Sequence, residues 1–280
     1  MAGADPIPLT RWFPVAASQE LVRRHVFQTE LFEHELAVWR ADDGQVNVWE
    51  NRCPHRGSRL TLGCNLGEEL RCQYHGWRYA SGSGRCTSIP AHPDLVPPPR
   101  IRVKQYQTCD KYGFAWTRLA GDGAEPDMPE LDVGSRLTLR SIPIRAAHEI
   151  IAQALMAHEH RPFSRAVGAT ARGNRVRSLD EFTFLATTEG GEAAETLLYL
   201  IQPVRRDRTV IHGALLAPSA DEHRLAILRH HSDQLSELRR EIEDGASQSS
   251  DARTAGPGMS LERVAPVTGS WVDADPEYAP

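Results

Sequence analysis

Two short stretches constrain this chain more than any other feature: Cys53-Pro54-His55-Arg56-Gly57 and Cys72-Gln73-Tyr74-His75-Gly76-Trp77. Each offers one thiol and one imidazole, and sixteen residues separate His55 from Cys72. Two kinds of centre use that donor set. One is a tetrahedral zinc site of two Cys and two His. The other is a [2Fe–2S] cluster in which two His replace Cys on one of the irons. Either centre requires a fold that brings two separate loops face to face. Zinc does not account for Gly57 and Gly76 beside the ligand pairs, or for Trp77. Glycines there let the backbone approach a cluster closely, and Pro54 stiffens the first loop.

The surrounding residues place both pairs at the ends of short strands. Leu36-Ala37-Val38-Trp39-Arg40 and Gln45-Val46-Asn47-Val48-Trp49 are β-rich runs around Asp42-Asp43-Gly44, a hairpin signal. Arg78-Tyr79 follow the second pair, and Ser81-Gly82-Ser83-Gly84 reads as another turn.

The CxH…CxxH pattern resembles the Rieske domain of ring-hydroxylating oxygenases. Trp12-Phe13-Pro14-Val15-Ala16 is similar to the opening stretch of the same family. The resemblance implies a [2Fe–2S] cluster on Cys53, His55, Cys72 and His75, with the two Cys on the buried iron and the two His on the outer one. Neutral imidazoles in place of thiolates raise the reduction potential, to between about −150 and +300 mV. Respiratory Rieske proteins carry an extra cysteine in each loop, joined as a disulfide. Here Arg56-Gly57-Ser58 and Gln73-Tyr74 hold none, which implies the lower-potential oxygenase type.

Composition narrows the partners. The formal net charge of −5 gives no electrostatic reason to expect nucleic acid or an anionic membrane. No apolar run is long enough to span a bilayer, and Met1 to Thr10 lack the layout of a signal peptide. Cys64, Cys86 and Cys109 remain over, an odd set without framework spacing that suits a reducing cytoplasm.

The expected class is α+β, an all-β Rieske domain over residues 1–125 followed by a shortened helix-grip domain over 135–245. In the first, Ile101 to Tyr106 alternates like a strand, and Tyr112 to Trp116 reads as the closing one. In the second, Ala146 to His160 has helical spacing, with Ile150, Ile151, Ala154, Leu155 and His158 on one face. Runs Glu181–Thr187, Glu195–Pro203 and Arg208–Ala217 read as an antiparallel meander, turned at Gly190-Gly191 and Arg206-Asp207. Ser219-Ala220-Asp221-Glu222 resembles a capping box. It opens a long helix with a stripe of Leu225, Leu228, Leu235, Leu238 and Ile242, expected to end before Gly245. Residues 246–280 are Ser-, Ala-, Asp- and Pro-rich and are expected to form a flexible tail.

The family couples its cluster to a mononuclear iron held by two His and one carboxylate. The motif around that iron runs Asn-x-x-Asp-x-x-His-x-Pro-Phe-x-His, and the matching piece here is His160-Arg161-Pro162-Phe163-Ser164-Arg165. The alignment puts Arg165 on the second His, Ala157 on the relay Asp and Ala154 on the Asn. A guanidinium is always charged and has no lone pair for a metal. Of possible rescues, His158 and His231 read as core histidines, and Asp233 on the late helix falls toward solvent. The expectation is a cluster without a mononuclear Fe(II), and no catalytic residue.

That favours a non-catalytic, α-like subunit, an electron-transfer or structural partner of an active oxygenase chain and of a reductase or ferredoxin. The resemblance implies a homo- or hetero-oligomer built on a trimer. Two other readings stand beside it. One is a working mono- or dioxygenase that hydroxylates or demethylates a small organic substrate. The other is a stand-alone electron carrier or small-molecule-binding redox protein.

Overall fold

A computed structural model describes residues 9–131, 135–163, 174–188, 194–217 and 224–254. The first lobe opens with β1 (Phe13–Ala17), β2 (Val26–Leu31), β3 (His34–Arg40) and β4 (Val46–Glu50). It continues with β5 (Cys64–Asn65), β6 (Glu69–Arg71), β7 (Arg78–Ala80), β8 (Cys86–Ser88), β9 (Gln107–Lys111) and β10 (Phe114–Arg118). They form three small antiparallel sheets, ordered β1-β10-β9, β2-β3-β4 and β5-β6-β7-β8.

The β3–β4 hairpin follows from its residues. Its strands alternate β-branched and aromatic side chains, and its turn carries Gly44 at φ +94°. Asp43 Oδ1 accepts the Gln45 N–H at 2.9 Å, closing the turn. The register pairs Trp39 with Asn47 and Ala37 with Trp49. Both indoles are fully buried and meet edge to face at 5.1 Å, an arrangement aromatic rings favour. They pack with Leu60, Leu70 and Tyr79 beneath the two cysteine loops.

Residues 101–106, expected as a strand, form only isolated bridges, Arg102 to Arg85 and Gln105 to Trp49. The segment changes partner midway. Ile101 O accepts from Cys86 N and Val103 N donates to Gly84 O, whereas Lys104 O accepts from Glu50 N. It stitches two sheets together instead of extending either.

In the second lobe β11 (Arg136–Thr138) and β12 (Ile142–Ile144) precede α1 (His148–Ala157). β13 (Asn174–Asp180), β14 (Thr183–Thr188), β15 (Thr196–Arg205) and β16 (Arg208–Leu216) follow, then α2 (Arg224–Thr254). The sheet is antiparallel, ordered β11-β16-β15-β14-β13, with β12 also paired to β16. α1 packs against β13, β15 and β16 and against α2. This is the α+β, helix-grip arrangement that the sequence implied. β13 lay outside the expected strands; its Arg-rich, solvent-facing residues give little alternation.

α1 stops at Ala157, so His158 caps the helix instead of extending its apolar face. α2 runs through Gly245 to Thr254, beyond its expected end. Its buried face carries Ile227, His231, Gln234, Leu235, Leu238 and Ile242, whereas Leu225 is 82% exposed. The proposed capping box, the Gly190-Gly191 turn, Arg165 and residues 255–280 lie outside the described residues. Among the described residues, no helix is long and apolar enough to cross a membrane.

The lobes share one core, in which Phe13, Leu31, Leu36 and Val38 meet Leu139, Ile144, Tyr199 and Ile201. The β2–β3 turn, with Phe32 at φ +47° and Glu33 at φ +67°, donates two backbone hydrogen bonds to β15, at Pro203 O and Val204 O. A buried polar chain runs beside it. Gln202 Nε2 donates to Thr29 Oγ1, and Gln202 Oε1 faces His212 Nε2 at 2.8 Å. His212 Nδ1 contacts the Ser141 hydroxyl at 2.9 Å, which donates to Glu20 Oε2.

Candidate functional site

The two cysteine loops fold alike. Cys53 N donates to Ser58 O at 2.8 Å, and Gly57 N returns to Cys53 O at 2.8 Å. In the second loop Cys72 N donates to Trp77 O at 2.8 Å, and Gly76 N returns to Cys72 O at 3.1 Å. The glycines have φ of +72° and +71°, a region that costs other residues about 1–2 kcal/mol. The first loop leaves β4 and the second joins β6 to β7, so neighbouring sheets present the tips to each other.

All four expected ligands meet there. Cys53 and Cys72 are each 2% exposed, His55 is half-buried and His75 exposed. The Nδ1 atoms of His55 and His75 lie 3.1 Å apart. Trp77 stacks on His55 at 4.3 Å, nearly parallel, and Tyr74 lies against His75 at 3.8 Å. Tyr79, fully buried, sits with its hydroxyl 3.1 Å from Cys53 Sγ. Burial pushes the Cys53 thiol up; the Tyr79 hydroxyl counters this, and nearby Cys72 adds to the rise. Burial, then Cys53, holds the Tyr79 proton in place far above the ordinary phenol range. Burial lowers His55, helped by His75 and Arg56. Two buried sulfurs, two converging imidazole nitrogens and no disulfide among the described cysteines fit a mixed-ligand [2Fe–2S] cluster.

The second lobe gathers another group. His160, just after α1, His231 on α2 and Glu195, just before β15, converge within 4.8 Å through one ligand atom each. Glu195 Oε2 lies 3.4 Å from His231 Nε2 and 3.7 Å from His160 Nε2. Burial pushes His231 down to about 3, so its ring is neutral. Asp233 is exposed, as its helix position implied. His158 is half-buried and lines a cleft of about 860 Å³ between α1 and α2, with Gln153, Arg161 and Glu241.

Residues 11–107 match the model of the Rieske [2Fe-2S] domain. "Oxidoreductase NdmD" of Pseudomonas putida is 36% identical over 243 residues, 85% of this chain and 41% of its own length. The methylxanthine N1-demethylase NdmA of the same species is 30% identical over 136 residues, 47% of this chain and 38% of its own. The chain belongs to the Rieske oxygenase family. It spans less than half the length of these two relatives. The crystal structure of apo dicamba monooxygenase shares the fold, with a TM-score of 0.71 at 19% identity, over 90% of this chain and 91% of that one.

Of the positions aligned above with the family's iron motif, the structure describes Ala154, Ala157 and His160 but not Arg165. His160 is buried at the expected place, but Ala154 and Ala157 stand where the motif has Asn and the relay Asp. Sequence reasoning missed Glu195 altogether, because it belongs to no motif. His231 was legible as buried, but not as facing a carboxylate. Only the pairing of β14 with β15 brings Glu195 to α2: Thr188 Oγ1 accepts the Glu195 N–H at 2.9 Å.

Proposed function

We propose that this chain is the Rieske electron-transfer component of an oxygenase system, working beside an oxygenase chain that carries its own catalytic iron. Cys53 and Cys72 would hold one iron of the cluster, and His55 and His75 the other. A [2Fe–2S] cluster bound there supplies one-electron transfer. The observation that carries this reading is the polarity of the site. Both sulfurs are buried, while His75 and the 59% exposed Tyr74 face outward. Trp77 stacks on His55 and fixes its ring, and Tyr79 donates a hydrogen bond toward Cys53. The imidazole edge is then the docking side for a reductase or ferredoxin and for the acceptor chain, in an oligomer built on a trimer.

Two further observations support a redox role over independent turnover. The relay position holds Ala157, which cannot carry a proton or bridge two subunits. The match to an oxidoreductase runs over 243 residues, well beyond the Rieske domain, whereas the match to a demethylase covers 136.

The test uses the full chain with its cluster reconstituted. Reduced anaerobically, it should give the EPR signal of a mixed N/S-ligated cluster and pass one electron per cluster to ferricytochrome c. With methylxanthines or chlorobenzoates present it should consume no O₂ beyond slow autoxidation. Substrate turnover by the isolated chain, abolished by His160→Ala with the cluster signal intact, would overturn the proposal.

A further inference from the structure

His160, Glu195 and His231 come from three separate elements, yet their side chains are only 0%, 13% and 1% exposed. Glu195 divides its oxygens. Oε1 accepts the Phe163 N–H at 2.8 Å, while Oε2 has no hydrogen-bond partner. Both ring nitrogens of His160, and Nε2 of His231, are equally unpaired. Buried polar atoms in native proteins are nearly always paired, and a cluster of exceptions needs a specific occupant. A single shared proton does not suffice. Placed between His231 and Glu195, it leaves His160 unpaired. Among the described residues, no Lys or Arg lies within ion-pair reach of Glu195; its only basic neighbours are these two imidazoles.

A metal ion satisfies all three at once. Ligands about 2.0–2.1 Å from a tetrahedral ion lie roughly 3.4 Å from one another, and Glu195 Oε2 is 3.4 and 3.7 Å from the two nitrogens. Two imidazoles and one carboxylate suit first-row divalent transition ions, zinc and ferrous iron among them. The surroundings are those of a positioned ligand set. Phe163 N holds the carboxylate. Gln234 accepts from Arg161 N at 2.7 Å and donates to Arg161 O at 2.8 Å, locking the His160 segment onto α2.

We propose that His160, Glu195 and His231 bind one first-row divalent transition ion, through a ligand set different from the family motif. In that motif both imidazoles come from one short stretch and the carboxylate from the late helix. Here the late helix supplies an imidazole, and the carboxylate comes from the approach to β15. The ion ties α1's exit, the sheet and α2 together. The inference does not rest on the cluster or on its redox role.

The test is a metal count on the full chain with acid-labile sulfide measured in parallel, so that cluster iron can be subtracted. After dialysis, Zn(II), and anaerobically Fe(II), should each saturate at one equivalent per chain beyond the cluster and raise the melting temperature. Glu195→Gln keeps the size and the Phe163 contact but not the charge. It and His231→Gln should lose this equivalent with the cluster EPR signal unchanged, whereas Asp233→Asn should keep it. Co(II) bound to the wild-type chain gives an answer that needs no variant. Its visible d–d bands should lack thiolate charge transfer. The absence of saturable uptake, undiminished uptake in both variants, or thiolate charge transfer would each overturn the proposal.

Discussion

Tyr79→Phe is the sharpest single probe of the cluster. The hydroxyl sits 3.1 Å from Cys53 Sγ, and the ring is fully buried between the sheets. Because burial keeps the phenol protonated, Tyr79 is the donor once Cys53 is a thiolate. A hydrogen bond to a charged group contributes about 1.5–3 kcal/mol. Only the difference between oxidised and reduced states moves the potential, and the more negative reduced state gains more. If that difference is roughly 1 kcal/mol, the one-electron scale of ~59 mV per tenfold change gives a fall of about 40 mV. Phe fills nearly the same volume, so packing is preserved and stability should drop by about the 1.5–3 kcal/mol of the lost hydrogen bond. Potentiometric titration followed by EPR or circular dichroism measures the shift. An unchanged or raised potential, with the cluster intact, would refute the assignment of Tyr79 as a donor to a ligating sulfur.

Two further predictions concern stability and assembly. Burial pushes His212 down to about 3 in the fold. The unfolded chain therefore takes up the proton first, and the His212 contribution is complete above about pH 6.5 and falls below it by about 1.4 kcal/mol per pH unit. His231, also pushed down to about 3, adds a like slope. Urea midpoints from pH 7 to 5 should therefore fall with both, and His212→Gln should remove about 1.4 kcal/mol per pH unit of the slope and leave the rest. Gly76→Ala adds about 1–2 kcal/mol of backbone strain and brings its methyl 3.1 Å from Pro90 Cγ. Cluster content after reconstitution should fall, whereas Gly44→Ala, strained in its backbone at φ +94° but free of steric contact and placed in the β3–β4 turn outside the cluster loops, should lose stability and retain full content. Equal content in both variants would mean that the second loop tolerates distortion.

The first lobe was legible because its signals are local. Asp43-Gly44 declares a turn, the flanking runs alternate, and Cys53, His55, Cys72 and His75 sit at fixed offsets in two copies of one loop. Residues 101–106 misled because alternation reports which side chains face inward, not whether the backbone keeps one partner. In the second lobe the strand runs and α2 were visible in outline, but the helix ends were not. His158 shared a helical period that the chain abandons one residue earlier, and Gly245 stays helical. Glu195 was invisible for a different reason. Its partners lie 35 positions before it and 36 after it in the chain, and one carboxylate at a strand's edge has no pattern until the sheet and helix are assembled.

The hydrogen bonds from the Phe32-Glu33 turn to β15, and the Gln202–His212–Ser141–Glu20 chain beside them, have a mechanical consequence. Among the described residues, these contacts tie the cluster lobe to its neighbour at two points and oppose a swing of one against the other. On the electron-transfer role proposed above, entry and exit would then be set by where other proteins land, not by an internal stroke. The distance an electron must cover is fixed when the chain folds, and the tempo of transfer passes to the encounter. Ionic strength and partner concentration should govern it, while solvent viscosity acts only through diffusion.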